Sequence, residues 1–292
     1  MDHYFVLGNP IEHSQSPLIH ARFAELTGQA MRYNKQWVAL DGLQAMLTKL
    51  ARPGVDRLGG KDDVKGCNVT VPFKFEAFQA SHTATARAQL AQAANTLVFN
   101  ERGLHADNTD GVGLVNDIEI NAGVPLAGRS VLLIGAGGAA AGVLGPLLMA
   151  GPARLVVTNR TLAKAQALVA RHENHPVLAH LLLKTDLEVH ETRQLQPGFD
   201  IVINATASSL SGSSIPVGHH VLKPGALAYD MMYGTAAQSF LQWASLHGAV
   251  ARDGLGMLVE QAGEAFKLWR GVPAPTAQVL GEMRARLAAA SA

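Results

Sequence analysis

The chain of 292 residues contains one cysteine, Cys67, which rules out an internal disulfide and leaves no thiolate cluster for zinc. It also lacks an excess of either charge. Its 24 Lys and Arg face 23 Asp and Glu, a net charge of +1, and no dense basic stripe offers nucleic acid a docking surface. Alanine-rich stretches are interrupted by charge, Gly or Pro before they reach the length of a bilayer crossing. Met1-Asp2-His3-Tyr4-Phe5 lacks the basic start and apolar core of a signal peptide. Twelve histidines are present, including His219-His220, but none is spaced with a second histidine and an acid as a metal site requires. A cytoplasmic soluble protein is expected, with no metal and no nucleic-acid or membrane partner. Both monomer and homodimer fit this sequence. Only 16 % of residues are charged and 48 % are hydrophobic, enough apolar surface for one large core or two ordinary ones.

Glycine, by contrast, is plentiful, and its most informative run is Gly135-Ala136-Gly137-Gly138-Ala139, followed by Ala140. The run comes directly after Ser130-Val131-Leu132-Leu133-Ile134, which reads as a buried strand, and it opens a helix over residues 139–148 whose last turn Pro146 limits. Such a corner suits a dinucleotide. Gly135 permits the tight turn, Gly137 leaves room for a pyrophosphate, and Ala140 is small enough for close helix–strand packing. The helix start adds unpaired N–H groups for the anion. A second strand, Arg154–Thr158, ends in Asn159-Arg160-Thr161. NAD sites usually carry an acid here to bind the ribose; this chain has none. Arg160, Thr161 and Lys164, one helical turn beyond Arg160, can instead hold the 2′-phosphate of NADP. Plainer readings are an ordinary glycine turn or other anion site, and a solvated basic patch at a helix start.

Strand and helix signals alternate from the start. Strands are predicted at 4–7, 34–39 and 66–71, helices at 17–26, 40–50, from Phe73 onward and at 85–92, and a hairpin from 95–99 to 103–106. Ser16 is the expected N-cap of the first helix, with Pro17 at its first position. A helix over 112–122 then leads to strands at 131–134, 155–158, 177–183, 201–204 and 227–229, and helices follow at 257–269 and Thr276–Ala290. The fold class is therefore α/β, the second half a mostly parallel sheet with helices on both faces. The units expected are 1–110, 111–253 and 254–292.

Several polar side chains sit where a structural role alone is awkward. Ser14 and Ser16 precede the first helix and can bind a polyhydroxylated or carboxylated ligand, or be one cap and one exposed serine. Lys74 follows a strand end, and Asn95-Thr96 and Asn108-Thr109-Asp110-Gly111 lie beside other element ends. Lys74 could be merely solvated and Asp110 merely a cap. If the two meet, they form a chemical pair: an ammonium can protonate the alkoxide that grows as a ketone receives hydride, while a carboxylate orients it.

In this order the segments resemble the shikimate dehydrogenase family through essentially the whole chain. They are Asn9-Pro10-Ile11 with His13-Ser14-Gln15-Ser16-Pro17, Gly66-Cys67-Asn68-Val69-Thr70-Val71-Pro72-Phe73-Lys74, Asn95-Thr96, Asn108-Thr109-Asp110-Gly111, the glycine corner, Asn159-Arg160-Thr161, Asn204-Ala205-Thr206, Asp230-Met231-Met232-Tyr233 and Gly256 through Ala262. The resemblance implies reversible reduction of 3-dehydroshikimate to shikimate with NADPH. It implies two α/β domains flanking a cleft, the second of Rossmann type, with the C-terminal helices returning to the first. It assigns Lys74 and Asp110 to catalysis, and Ser14, Ser16, Thr70, Asn95, Asp110, Tyr233 and Gln261 to substrate. Gly135, Ala136, Gly137, Gly138, Ala139, Asn159, Arg160, Thr161, Lys164, Met231 and Gly254 fall to the cofactor. Three departures stand out: Lys164 where a second arginine is common, Ala207-Ser208-Ser209-Leu210 where the family carries Ser-Ser-Gly, and Cys67 in place of Ala, read as a small buried residue. Rival readings are a quinate/shikimate dehydrogenase using NAD or both cofactors, and a non-catalytic dinucleotide-binding protein.

Overall fold

A computed structural model describes residues 1–51, 63–175, 178, 180, 182–206 and 215–290. The chain divides into two units, Met1–Gly113 with Leu258–Ala292, and Leu114–Met257.

In the first unit a continuous apolar run makes an interior strand. Tyr4, Phe5, Val6 and Leu7 of β1 (Asp2–Gly8) are buried because both sheet faces are covered, Phe5 and Leu7 packing into one core and Tyr4 and Val6 into another, while β1 is paired in parallel on both edges, with β2 (Met31–Trp37) and β3 (Val64–Val69). Helices α1 (Ser16–Thr27) and α2 (Leu43–Ala51) lie between these strands in sequence, and α3 (Lys74–Gln79) follows them. Then come β4 (Thr83–Ala84), α4 (Ala86–Ala91), β5 (Thr96–Asn100), β6 (Gly103–Asp107) and α5 (Asp110–Asn116). The sheet order is β2-β1-β3-β5-β6-β4, with β5 antiparallel to both β3 and β6, so the expected hairpin is present. One core packs Leu7, Leu43, Leu47, Cys67, Val69, Phe73 and Leu97 together. Cys67 is fully buried and its thiol is pushed up by that burial, in keeping with a packing role.

An aromatic cluster closes over α1, where His20 stacks on Tyr33 with ring centroids 4.2 Å apart and lies close to Phe23, Phe266 and Trp269. Burial pushes the His20 pKa down to about 3, and that of His172 in the second unit to about 4. Unfolding returns both to about 6.5, so below that pH the unfolded chain binds protons that the folded chain refuses. The stabilisation is complete above about pH 6.5 and is lost as pH falls toward these lowered values. Thermal unfolding from pH 7 to pH 5 should show a falling Tm, and His20→Phe should flatten the fall. An identical slope in the variant would assign the proton uptake to other groups.

The second unit runs β7 (Ser130–Ile134), α6 (Gly138–Met149), β8 (Arg154–Thr158), α7 (Leu162–Glu173), β9 (Asp186–Val189), β10 (Phe199–Asn204), β11 (Leu222–Asp230), α8 (Gln238–Leu246) and β12 (Val250–Arg252). All six strands are parallel, in the order β12-β11-β10-β7-β8-β9. Chain order therefore reverses between β7 and β10, the switch point at which open parallel sheets hold ligands. Helices α9 (Leu255–Arg270) and α10 (Thr276–Ala290) end the chain. Among the described residues no helix is long and apolar enough to cross a membrane.

The structure corrects three expectations. The strand expected over 177–183 lies instead at β9, where Arg154↔Asp186 through Val157↔Val189 pair with β8; Val177, Ala179 and Leu181 lie outside the described residues. An edge strand whose Glu188 pairs with Arg154 and His190 does not show the apolar pattern of an interior one. The helix expected over 112–122 changes to a π-helical turn at Asp117–Asn121, where buried Asp117 accepts from the Tyr229 hydroxyl (2.7 Å) and the Arg252 guanidinium (2.5 Å). Ser16 is the first helical residue rather than a cap, and its backbone N–H donates to Ser14 Oγ at 3.3 Å. The very short β4 and the three-residue β12 are too brief to show a period in sequence.

Candidate active site

Sheet register explains why residues far apart in sequence converge. Asn68 of β3 lies opposite Thr96 of β5, and Thr96 lies opposite Asp107 of β6. The end of β3, the start of β5 and the end of β6 thus share one edge of the sheet. Lys74 opens α3 just beyond β3, Asn95 immediately precedes β5, and Asp110 opens α5 just beyond β6.

Lys74 Nζ donates to Asp110 Oδ2 at 2.6 Å, with side chains only 13 % and 6 % exposed. A charge-assisted bond this well shielded from water holds both groups in register. Asn95 Nδ2 donates to Asp110 Oδ1 at 2.9 Å, and also reaches Thr109 Oγ1 at 2.9 Å and Gln261 Oε1 at 3.1 Å. Asn95 Oδ1 accepts from the Thr109 N–H and from Thr96 Oγ1. Gln261 enters from α9, its amide nitrogen tied to the Leu258 carbonyl. Five residues drawn from four segments therefore form one polar cluster: Lys74, Asn95, Thr109, Asp110 and Gln261.

Ser14 and Ser16 pair with each other at 3.3 Å before α1. Thr70 is half-buried just after β3, its N–H donating to the Leu7 carbonyl. Behind them the Tyr33 hydroxyl donates to Asn68 Oδ1 at 2.6 Å, and Asn68 Nδ2 donates to Thr96 Oγ1 at 3.0 Å. Tyr33 and Arg87 went unnoticed in the sequence. A usable signal was the run Asp107-Asn108-Thr109-Asp110, in which the last residue of β6 and the three that follow it are all polar, and all four are buried.

In the other unit, Gly135 has φ +120°, and a Cβ there would lie 3.1 Å from the Ala205 carbonyl oxygen, so only glycine fits this turn. Gly137 faces open space at the N-cap of α6 and offers no side-chain cap, which leaves the helix N–H groups available to an anion. Ala136, Gly138 and Ala139 are half-buried around it, and Gly137 is exposed. At the end of β8 the Asn159 amide donates to the Thr161 carbonyl, and Arg160, Thr161 and Lys164 are exposed. Neither Arg160 nor Lys164 has an ion-pair partner among the described residues. Gly254 lies against Met231, since a Cβ there would fall 2.4 Å from the Met231 carbonyl oxygen. Tyr233, half-buried, precedes the short 3-10 turn Gly234–Ala237. The segment Ala207-Ser208-Ser209-Leu210 lies outside the described residues. An open glycine corner beside uncommitted basic side chains fits a dinucleotide with an extra phosphate.

Three family models match the chain: "Shikimate dehydrogenase substrate binding domain" over residues 6–97, "Shikimate / quinate 5-dehydrogenase" over 119–211, and "Shikimate 5'-dehydrogenase C-terminal domain" over 254–284. A shikimate dehydrogenase (NADP(+)) of Acidovorax sp. (strain JS42) is 60 % identical over 288 residues, 99 % of this chain and 98 % of its own. Among solved structures, an Ael1 enzyme from Pseudomonas putida matches with TM-score 0.84 and 42 % identity, over 97 % of this chain and 98 % of that one. Shikimate 5-dehydrogenase from Thermus thermophilus, in complex with NADP(H) and shikimate, matches with TM-score 0.81 and 28 % identity, over 98 % and 100 %.

Proposed function

The chain belongs to the shikimate dehydrogenase family, and from that premise we propose how its residues carry out the NADPH-dependent, reversible reduction of 3-dehydroshikimate to shikimate. It is an NADP-dependent oxidoreductase of aromatic amino acid and chorismate biosynthesis. When bound, NADPH supplies the hydride to the ketone carbon. Lys74 donates a proton to the oxygen as it becomes an alkoxide, and Asp110 holds the ammonium in place while accepting from a substrate hydroxyl. In the oxidative direction the same proton returns to Lys74. The observation that carries this reading is the shielded 2.6 Å contact between Lys74 and Asp110 inside a hydrogen-bonded polar cluster.

Asn95 and Gln261 bind ring hydroxyls from the same cluster, while Ser14, Ser16 and Thr70 take the polar groups at the other end of the substrate, and Tyr233 completes the set. Gly135, Ala136, Gly137, Gly138 and Ala139 receive the pyrophosphate, Asn159, Arg160, Thr161 and Lys164 the adenosine ribose with its 2′-phosphate, and Met231 and Gly254 the remainder of the cofactor. The enzyme works in the cytoplasm, as monomer or homodimer, on a freely diffusing substrate. Initial rates with shikimate and with quinate, each with NADP⁺ and with NAD⁺, test the assignment through the rise of reduced nicotinamide. The shikimate–NADP⁺ pair should dominate. Comparable turnover of quinate with NAD⁺ would move the chain to the broader quinate-oxidising branch, and no turnover in any pair would refute catalysis.

A further inference from the structure

Arg87 lies on α4, outside the chemistry described above, with its side chain 23 % exposed. Its guanidinium grips Asp107 with both prongs, Nε to Oδ1 at 2.7 Å and Nη2 to Oδ2 at 2.6 Å. Nη2 also reaches Glu264 Oε1 at 3.1 Å. Asp107, only 2 % exposed, further accepts from Thr85 Oγ1 at 2.6 Å and from the Asn108 backbone N–H at 2.7 Å. Burial alone would raise its pKa, but the Arg87 bonds and these other donors hold the carboxylate below its ordinary range. Asp107 is thus a fixed anionic post at the end of β6.

Two connections lead from this post to the proposed site. On one side, Asn108 is bonded through its backbone to Asp107, and its Oδ1 accepts the Asp110 N–H at 3.2 Å, so the turn that orients Asp110 is built on Asp107. On the other, Glu264 lies one helical turn beyond Gln261 on α9, on the same helix face. One planar guanidinium therefore bridges the loop that carries Asp110 and the helix that carries Gln261. A lysine could not, because a single ammonium lacks the rigid fork needed to hold a carboxylate bidentately while reaching a second one.

We propose that Arg87 is a positioning residue for this reaction, setting the separation of Asp110 and Gln261 through its joint hold on Asp107 and Glu264. This rests on the reading that Asp110 and Gln261 contact substrate. Lost charge-assisted bonds of this kind correspond to about a tenfold change or more. Arg87→Ala should raise the KM for shikimate and lower kcat by about that factor each, while the KM for NADP⁺ stays at the wild-type value. Arg87→Lys, which keeps a cation beside Asp107 and so protects folding, should show the same split to a smaller degree. Assays run well below each variant's Tm keep stability out of the comparison. In an Asp110→Asn background Arg87→Lys should cost less than it does in the wild type, because part of its effect passes through a group already disabled.

Unchanged kcat and shikimate KM beside a lowered Tm would make Arg87 structural only and overturn the proposal. Full additivity with Asp110→Asn would overturn it as well, as would an equal rise in the KM for NADP⁺. If Asp110→Asn alone left shikimate turnover intact, the failure would lie instead with the catalytic reading on which the proposal rests.

Discussion

Replacing Lys74 with alanine should lower kcat for shikimate oxidation by about 10²–10⁴-fold, the range associated with loss of a positioned acid–base group. Lys74 Nζ lies 2.6 Å from Asp110 Oδ2, and both side chains are largely shielded from water. The side chains bonded around Asp110, Asn95 and Thr109, carry an amide and an aliphatic hydroxyl, both far weaker acids than the Lys74 ammonium and poor replacements for it. The substitution also leaves a carboxylate only 6 % exposed without its cation, and such a group weakens stability when stranded. Tm must therefore be measured with the kinetics. The diagnostic outcome is a collapse of kcat with NADP⁺ affinity unchanged, because the glycine corner and Arg160 belong to the other unit. Turnover near wild type in a folded Lys74→Ala protein would remove Lys74 from the chemistry, whatever its contact with Asp110.

The second large effect is on cofactor choice. Arg160→Ala should weaken NADP⁺ binding by about 10- to 100-fold, the loss expected when charge-assisted bonds to a phosphate disappear, and should leave NAD⁺ almost unaffected. The reasoning is local. Arg160 stands exposed immediately after β8, no acid occupies the end of that strand, and among the described residues no carboxylate competes for the guanidinium. Lys164, one turn into α7, contributes a second charge, but a compact ammonium meets a phosphate as a point and not as a fork. Lys164→Ala should therefore produce a smaller loss in the same direction. Fluorescence titration of both variants with NADPH and NADH separates the cases. Equal losses for the two cofactors would mean that Arg160 contacts something other than the 2′-phosphate.

What could be read from the sequence was whatever depends on neighbours along the chain. Gly135 through Ala140 directly after an apolar strand, and Asn159-Arg160-Thr161 at the end of the next, are contiguous, so their spatial relation follows from a strand-to-helix turn alone. The α/β class followed in the same way, because alternating strand and helix periods leave few ways to bury both kinds of apolar face. Where a segment's own pattern was weak the reading slipped. Half-buried β9 was expected several residues early, over a leucine-rich stretch, since its position is set by pairing with β8 rather than by its own hydrophobicity. Ser16 has the composition of a cap, yet Ser14 accepts its N–H, a matter of one residue's backbone angle that composition does not encode.

The meeting of Lys74 with Asp110, 36 residues apart, and of Asn95 with Gln261, 166 apart, was decided only by the tertiary structure. Sequence nominated each of these residues from its place beside an element end, and the family resemblance grouped them, but neither supplies a distance. The distance arises because β5 runs antiparallel between β3 and β6, which brings three strand ends to one edge of the sheet, and because α9 belongs to the same unit as that sheet. Arg87 shows the limit most plainly. On its own short helix it is an ordinary surface cation, and it becomes a bridge only when folding buries Asp107 and brings Glu264 from 177 residues away within reach of the same Nη2. Contiguous motifs carry their geometry in the covalent chain, whereas contacts between distant residues exist only after loop-closure entropy has been overcome by burial of the cores that hold them in place.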